Sequence, residues 1–154
     1  MPACSRLVQN NLSVLTRAPV SLCGIADTKE IRVKVLIVDD SAALRQRLVE
    51  MLSKIKQLDI VGDVGNVSAA HDAVKALHPD LIVLDIRMGD GSGIDVLREV
   101  KRHNPATKVI ILTNFPEPQY ERKCTELGAD FFLRKSTDSH RLVEISERLA
   151  AHLE

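Results

Sequence analysis

The residues of this chain that could do chemistry stand at the ends of short apolar runs. Asp39-Asp40 follows Val35–Val38, Asp85 follows Leu81–Leu84, Thr113 follows Val109–Leu112, and Arg134-Lys135 follows Phe131–Leu133. An aspartate after a strand often serves only as a turn former or helix cap, and Asp40, directly before Ser41, suits that plainer role. Taken together the positions argue for more. Carboxylates gathered on one edge repel one another unless positive charge offsets them. A hard dication with oxygen ligands, beside one lysine, supplies that charge.

Those residues act together only if one scaffold aligns them. Five runs (Val35–Val38, Ile60–Val64, Leu81–Leu84, Val109–Leu112 and Phe131–Leu133) are short, mostly apolar and rich in Val and Ile. Strands buried on both faces read this way. Helical spacing falls between them. Ser41 is an N-cap for a first helix that sets Leu44, Leu48, Met51, Leu52 and Ile55 on one face. A second helix runs from Ser68 to Leu77 and stops before Pro79; a third spans Ile94–His103, ahead of Pro105. The fourth follows Pro118, aligns Tyr120, Cys124 and Leu127, and ends at Gly128, while the fifth carries Leu142, Ile145, Leu149 and Leu153. Strict alternation predicts an α/β fold, a doubly wound five-stranded parallel sheet with helices on both faces. Such sheets bind ligands at the carboxyl ends of their strands, near the switch in strand order.

Composition narrows the class. A chain of 154 residues suits one domain, and the 45% hydrophobic and 27% charged fractions are ordinary for a soluble protein. Lys plus Arg and Asp plus Glu both total 21, without the basic excess of a nucleic-acid binder. The three cysteines (Cys4, Cys23, Cys124) form neither a disulfide framework nor a zinc pattern and fit a reducing, cytoplasmic setting. No run approaches the roughly 18 apolar residues of a membrane span. Arg17 and Pro19 interrupt any signal-peptide core, and Val20-Ser21-Leu22-Cys23 has Leu22 where a lipoprotein box wants a small residue. A compositional break near Asp27–Lys34 divides a 1–31 extension, read as a disordered tail, from a domain over 32–154. A helical partner arm and an over-extended gene start are the alternatives for the extension.

Four segments resemble the receiver domains of bacterial response regulators. They are Val35-Leu36-Ile37-Val38-Asp39-Asp40-Ser41, Leu81–Met88 with Gly93 beyond it, Ile110-Ile111-Leu112-Thr113, and Gly128–Lys135. The resemblance covers about Val33 to the C-terminus. It implies a flavodoxin-like fold with strand order 2-1-3-4-5, counting the five main strands. It also implies that Asp85 is the phosphoacceptor and that Mg2+ is bound by Asp40, Asp39, Asp85 and the backbone carbonyl of Arg87. Thr113 and Lys135 would contact the phosphoryl group, and Thr113 with Phe132 would form the switch. Phosphoryl transfer needs positioning and charge neutralisation more than covalent machinery, which suits this set.

Departures from the family pattern are local. Gly89 replaces a usual proline within Gly89-Asp90-Gly91-Ser92-Gly93, so a more flexible loop is expected. Ser136 follows Lys135 where the family has a cis proline, and Asn114 is larger than the small residue preferred after Thr113. Arg87 and Phe115 flank the site where members tune dephosphorylation. Other signals fail. The glycine-rich loop has Ile94 where a dinucleotide fingerprint needs its third glycine. The histidines His71, His78, His103, His140 and His152 have no metal-ligand spacing and read as surface residues. Cys124, on an apolar stripe, reads as a buried inert thiol.

The expected function is that of a stand-alone receiver, not an enzyme beyond its own phosphorylation and dephosphorylation. Its partners would be a sensor histidine kinase or histidine phosphotransfer protein and a downstream protein target, with homodimerisation on phosphorylation a further expectation. No direct contact with nucleic acid or membrane is expected, because the chain as a whole carries no basic excess; the expected output surface displays Arg122, Lys123, Glu126 and Arg134. The alternative is the receiver fragment of a transcription factor lacking its helix-turn-helix output domain. A hydrolase of the haloacid dehalogenase type would need an aspartate where Arg87 stands.

Overall fold

A computed structural model of the chain describes residues 32–153, so the reading of 1–31 as a disordered tail lies outside the described residues. The first strand, β1 (Val33–Val38), leads into α1 (Ala42–Ser53), followed by β2 (Leu58–Val64) and α2 (Val67–Leu77). Then come β3 (Leu81–Leu84), a two-strand hairpin of β4 (Arg87–Met88) and β5 (Gly91–Ser92), and α3 (Gly93–His103). The chain continues through β6 (Lys108–Thr113), α4 (Pro118–Glu126), β7 (Phe131–Arg134) and α5 (Ser139–Leu153).

Five strands form a parallel sheet in the order β2-β1-β3-β6-β7. With the hairpin set aside this is the expected 2-1-3-4-5 arrangement, and the order reverses between β1 and β3. The central strands alternate between two cores. Val33, Val35 and Ile37 join Leu48, Leu52, Leu142 and Ile145 beneath α1 and α5. Leu36 and Val38 join Ala70, Val74, Val96, Leu97, Val100 and Cys124 beneath α2, α3 and α4. That two-sided burial is why β1, β3 and β6 read as nearly unbroken apolar runs.

Polar residues set the helix ends. The side chains of Ser41, Asn66 and Ser92 accept the backbone N–H groups of Leu44, Ala69 and Ile94 at 3.3, 2.7 and 3.1 Å. Pro118 opens α4, and Gly128, at φ 102°, adopts the left-handed conformation beyond its end. Element bounds shift modestly from expectation. The strand β2 begins at Leu58 rather than Ile60, and α2 begins at Val67 rather than Ser68, capped by Asn66. The glycine-rich loop, expected to be flexible, is folded into the β4–β5 hairpin, with Arg87 paired to Ser92 and Met88 to Gly91. The described peptide bonds are all trans, including the one after Lys135.

Candidate functional site

Backbone pairing brings the acidic strand ends level. The Asp85 N–H donates to the Val38 carbonyl at 2.9 Å, and the Asp39 N–H donates to the Val64 carbonyl at 3.1 Å. On the other side, Lys135 N–H donates to the Thr113 carbonyl at 3.0 Å, carrying the sheet pairing one residue past β7. Asp39, Asp85, Thr113 and Lys135 therefore stand at one edge of the sheet because each follows the last paired residue of its strand or, for Thr113, is that residue. Gly93 seals the loop behind Asp85: its N–H donates to the Ile86 carbonyl at 2.6 Å, and a Cβ there would lie 1.8 Å from the Asp85 carbonyl oxygen. Only glycine permits that approach.

The side chains converge. Lys135 Nζ lies 2.6 Å from Asp39 Oδ2 and 3.0 Å from Asp85 Oδ2. The remaining oxygens accept backbone donors, Asp39 Oδ1 from Ser41 N–H and Asp85 Oδ1 from Ile86 N–H, both at 2.8 Å. Asp39 and Asp85 are 2% and 4% exposed, whereas Asp40 is exposed. Burial pushes the Asp85 carboxyl above its ordinary value, and the Asp39 charge adds to this; the Lys135 hydrogen bond and charge only partly counter it. Burial also works against the charge on Lys135, but its hydrogen bonds to Asp39 and Asp85 outweigh that and hold it above the ordinary lysine value.

One ligand oxygen each from Asp39, Asp40 and Asp85 can be chosen so that all lie within 4.8 Å of one another. Three carboxylates against one lysine leave negative charge uncompensated, and every donor is a hard oxygen. The set fits a dication such as magnesium and is unsuited to a soft, thiolate-seeking metal.

The model of the response regulator receiver domain matches residues 35–147. The chain belongs to that family. It is 33% identical over 119 residues to the DNA-binding transcriptional activator DevR/DosR of Mycobacterium tuberculosis, a match covering 77% of this chain and 55% of that protein. It is 32% identical to Protein CcdB of Bacillus subtilis over 77% of this chain and 98% of that one. The chain thus spans about half the length of the first of these relatives and nearly all of the second. Among solved structures, a LuxR-family DNA-binding response regulator from Staphylococcus aureus superposes with a TM-score of 0.71 at 28% identity, covering 77% of this chain and 98% of that one.

Residues flanking the pocket of this receiver link it to the start of α4. The Arg87 guanidinium stacks over the Phe115 ring at 4.0 Å and donates to the Tyr120 hydroxyl at 3.5 Å, so its side chain joins the loop after β3 to α4. Thr113 is fully buried, and its Oγ1 accepts the Phe115 N–H at 3.0 Å. Phe132 is half-buried against the α2–α3–α4 core, two residues from Arg134, and Asn114 is exposed.

Two residues that shape the site were not singled out from sequence. Arg45 donates to the Asp39 carbonyl at 2.6 Å and pairs with Asp63 at 3.0 Å, bracing the end of β1. Asp90 reaches the start of α2. Both act across gaps in sequence where spacing gives no signal, although an acidic residue inside a glycine-rich loop marks a side chain with no local role. His71, His78 and His103 line a cavity between α2 and α3 of about 340 Å³. Among the described residues, the acidic trio is the one group placed closely enough to hold a metal ion. Cys124 is buried, and burial pushes its thiol up to about 11, as an inert core residue requires.

Proposed function

We propose that this receiver accepts a phosphoryl group on Asp85 from a sensor histidine kinase or a histidine phosphotransfer protein. The observation carrying this reading is a buried Asp85 carboxylate held 3.0 Å from a lysine that also binds Asp39. In the transfer, an Asp85 oxygen forms the new P–O bond while the donor's P–N bond breaks and its imidazole leaves. Lys135 is then placed to pair with the phosphoryl oxygens. Thr113, whose hydroxyl can donate while still accepting from Phe115, is placed to hydrogen-bond them. Asp40, Asp39, Asp85 and the Arg87 carbonyl would hold magnesium, which would supply charge neutralisation. The protein's own part is positioning, so it acts as an enzyme only on its own phosphoryl group.

Output goes through a protein surface biased by Thr113 and Phe132, with homodimerisation on phosphorylation as one form of it. Arg122, Lys123 and Arg134 are exposed there with Glu126, three cations beside one carboxylate, and it is the absence of a basic excess over the whole chain that supports a protein target over nucleic acid. A cytoplasmic setting suits a kinase partner; no helix among the described residues is long and apolar enough to cross a membrane. A second reading, that the chain is the receiver part of a DNA-binding regulator, is favoured by the 55% coverage of DevR/DosR. A downstream helix-turn-helix continuation in the gene separates the two.

Incubation with acetyl phosphate and magnesium tests the chemistry. Intact-mass measurement should show a single acid-stable, base-labile phosphoryl group, and Asp85→Asn should abolish it. Equal labelling of the variant would overturn the assignment.

A further inference from the structure

The loop after the phosphoacceptor contains Gly89, Gly91 and Gly93 and lacks the proline that stiffens its counterparts. A loop so rich in glycine loses more conformational entropy on ordering than most. The two-residue pairing of β4 with β5 holds its stem. Its tip is tied elsewhere. Asp90 Oδ1 accepts the Val67 N–H at 2.8 Å and Oδ2 accepts the Ser68 N–H at 3.3 Å, across more than twenty residues of sequence. Gly91 lies close by, where an added Cβ would meet Val67 Cγ2 at 3.3 Å, whereas nothing surrounds Gly89 within 4 Å.

The start of α2 already has a local cap, because Asn66 accepts the Ala69 N–H at 2.7 Å. Asp90 takes the two preceding amides, and a negative charge is favoured at that helix end. Its carboxyl accordingly lies below its ordinary value, held there first by the Val67 amide. The helix gains two partners, and the hairpin, whose Arg87 reaches Tyr120 of α4 and whose Met88 is buried in the core, gains a side-chain tie from its tip to α2.

We infer that Asp90 is a positioning residue, which locks the β4–β5 hairpin to the N-terminus of α2 and so fixes the Arg87 main chain beside Asp85. This rests on the proposed magnesium site. It accounts for how a loop without proline keeps a ligand carbonyl in place.

Calorimetric titration of the full chain with magnesium chloride tests it, using Asp90→Ala, Asp90→Asn and, as a control, Asn66→Ala. Loss of a group that orients a metal ligand costs on the order of tenfold in affinity, and that is expected for Asp90→Ala. Asp90→Asn, which keeps one acceptor, should show an intermediate loss. Asn66→Ala loses a cap of the same helix but no tie to the loop, and should bind magnesium like the wild type. Wild-type affinity in Asp90→Ala, or an equal loss in Asn66→Ala, overturns the inference while leaving the site intact. A wild type that binds no magnesium defeats the site and the inference together.

Discussion

Aspartates gather at both edges of the sheet, and the two groups are built differently. At the amino edge, Asp80 accepts the Lys34 N–H at 3.0 Å, and Asp130 accepts the Val109 N–H at 2.9 Å. Asp130 also pairs with Lys101 at 3.1 Å and Lys108 at 3.8 Å. Its charge is answered from within the chain. At the carboxyl edge, Asp39 and Asp85 share the single ammonium of Lys135, Asp40 stands beside them without a partner among the described residues, and Asp85 is pushed above its ordinary value. The difference lies in where the positive charge comes from. Satisfied carboxylates staple strands together; carboxylates left short of positive charge await something from solution.

The largest effect should separate ligation from stability at the carboxyl edge. Asp40 is exposed and makes no hydrogen bond or ion pair among the described residues. Asp40→Ala should weaken magnesium binding about 10- to 100-fold, the range for disturbing a metal site. It should shift metal-free stability by no more than about 0.5 kcal/mol, as at other surface positions. Titration and melts with and without magnesium read both numbers. A strongly destabilised metal-free variant would return Asp40 to a structural cap.

The converse is expected at the amino edge. Asp130→Ala leaves the Val109 N–H without its carboxylate partner and separates two lysines from their counter-ion. Denaturant unfolding should show a loss of about 1–3 kcal/mol, the cost of an unpaired buried group. Magnesium affinity should not move, because Asp130 sits at the far end of its strand.

The pH dependence sharpens the contrast. A raised Asp85 value means the folded state holds that proton more tightly than the unfolded chain does. As pH climbs from the ordinary 3.8 through the raised folded value, Asp85 therefore subtracts stability from the metal-free protein. Asp85→Asn should remove that decline, and at neutral pH should melt no lower than the wild type. The other titrations fall in different windows. Lys135 contributes stability that is fully present below its ordinary 10.5 and is lost as pH rises through its higher folded value. Asp90 contributes above its ordinary 3.8, and its share is lost as pH falls through its depressed folded value. Melting curves recorded across pH in chelator are the measurement.

The sheet and its carboxyl edge are legible in the sequence for a physical reason, whereas the amino-edge roles of Asp80 and Asp130 are not. Strands covered on both faces must be apolar throughout, so β1, β3 and β6 announced themselves, and the polar residues ending them stood out. The edge strand β2 reads two residues short at its start in sequence, because exposed Asp59 separates Leu58 from the apolar run. What spacing could not show was the division of labour within Asp39-Asp40. Two adjacent, identical side chains differ in burial only because the strand's direction turns Asp39 toward Lys135 and leaves Asp40 outside. Nor could it show Arg45 or Asp90, whose partners lie well away in sequence. Gly93 was quoted for its place in a motif, but its necessity comes from the Asp85 carbonyl lying where a side chain would be.

The subtlest effect is expected at Thr113, where the carboxyl edge meets the proposed output surface. Its Oγ1 accepts the Phe115 N–H at 3.0 Å, which leaves the hydroxyl hydrogen to turn toward a phosphoryl oxygen. The same hydroxyl would then bind the phosphoryl group while holding Phe115, the ring on which Arg87 stacks beside Tyr120 of α4. On the proposed function, phosphorylation would bias the chain between two conformations only by its differential contacts, and Thr113 would be one such contact. Thr113→Ser keeps both the donor and the acceptor and should respond like the wild type. Thr113→Ala should still be phosphorylated on Asp85. It should lose about 1–3 kcal/mol through the unpaired Phe115 N–H, and the amide shifts along α4 and at Phe132 on phosphorylation should shrink. Heteronuclear NMR with a phosphate mimic and magnesium compares the three proteins. If α4 and Phe132 stay unmoved in the phosphorylated wild type, the two edges differ in charge alone, and the switch lies elsewhere.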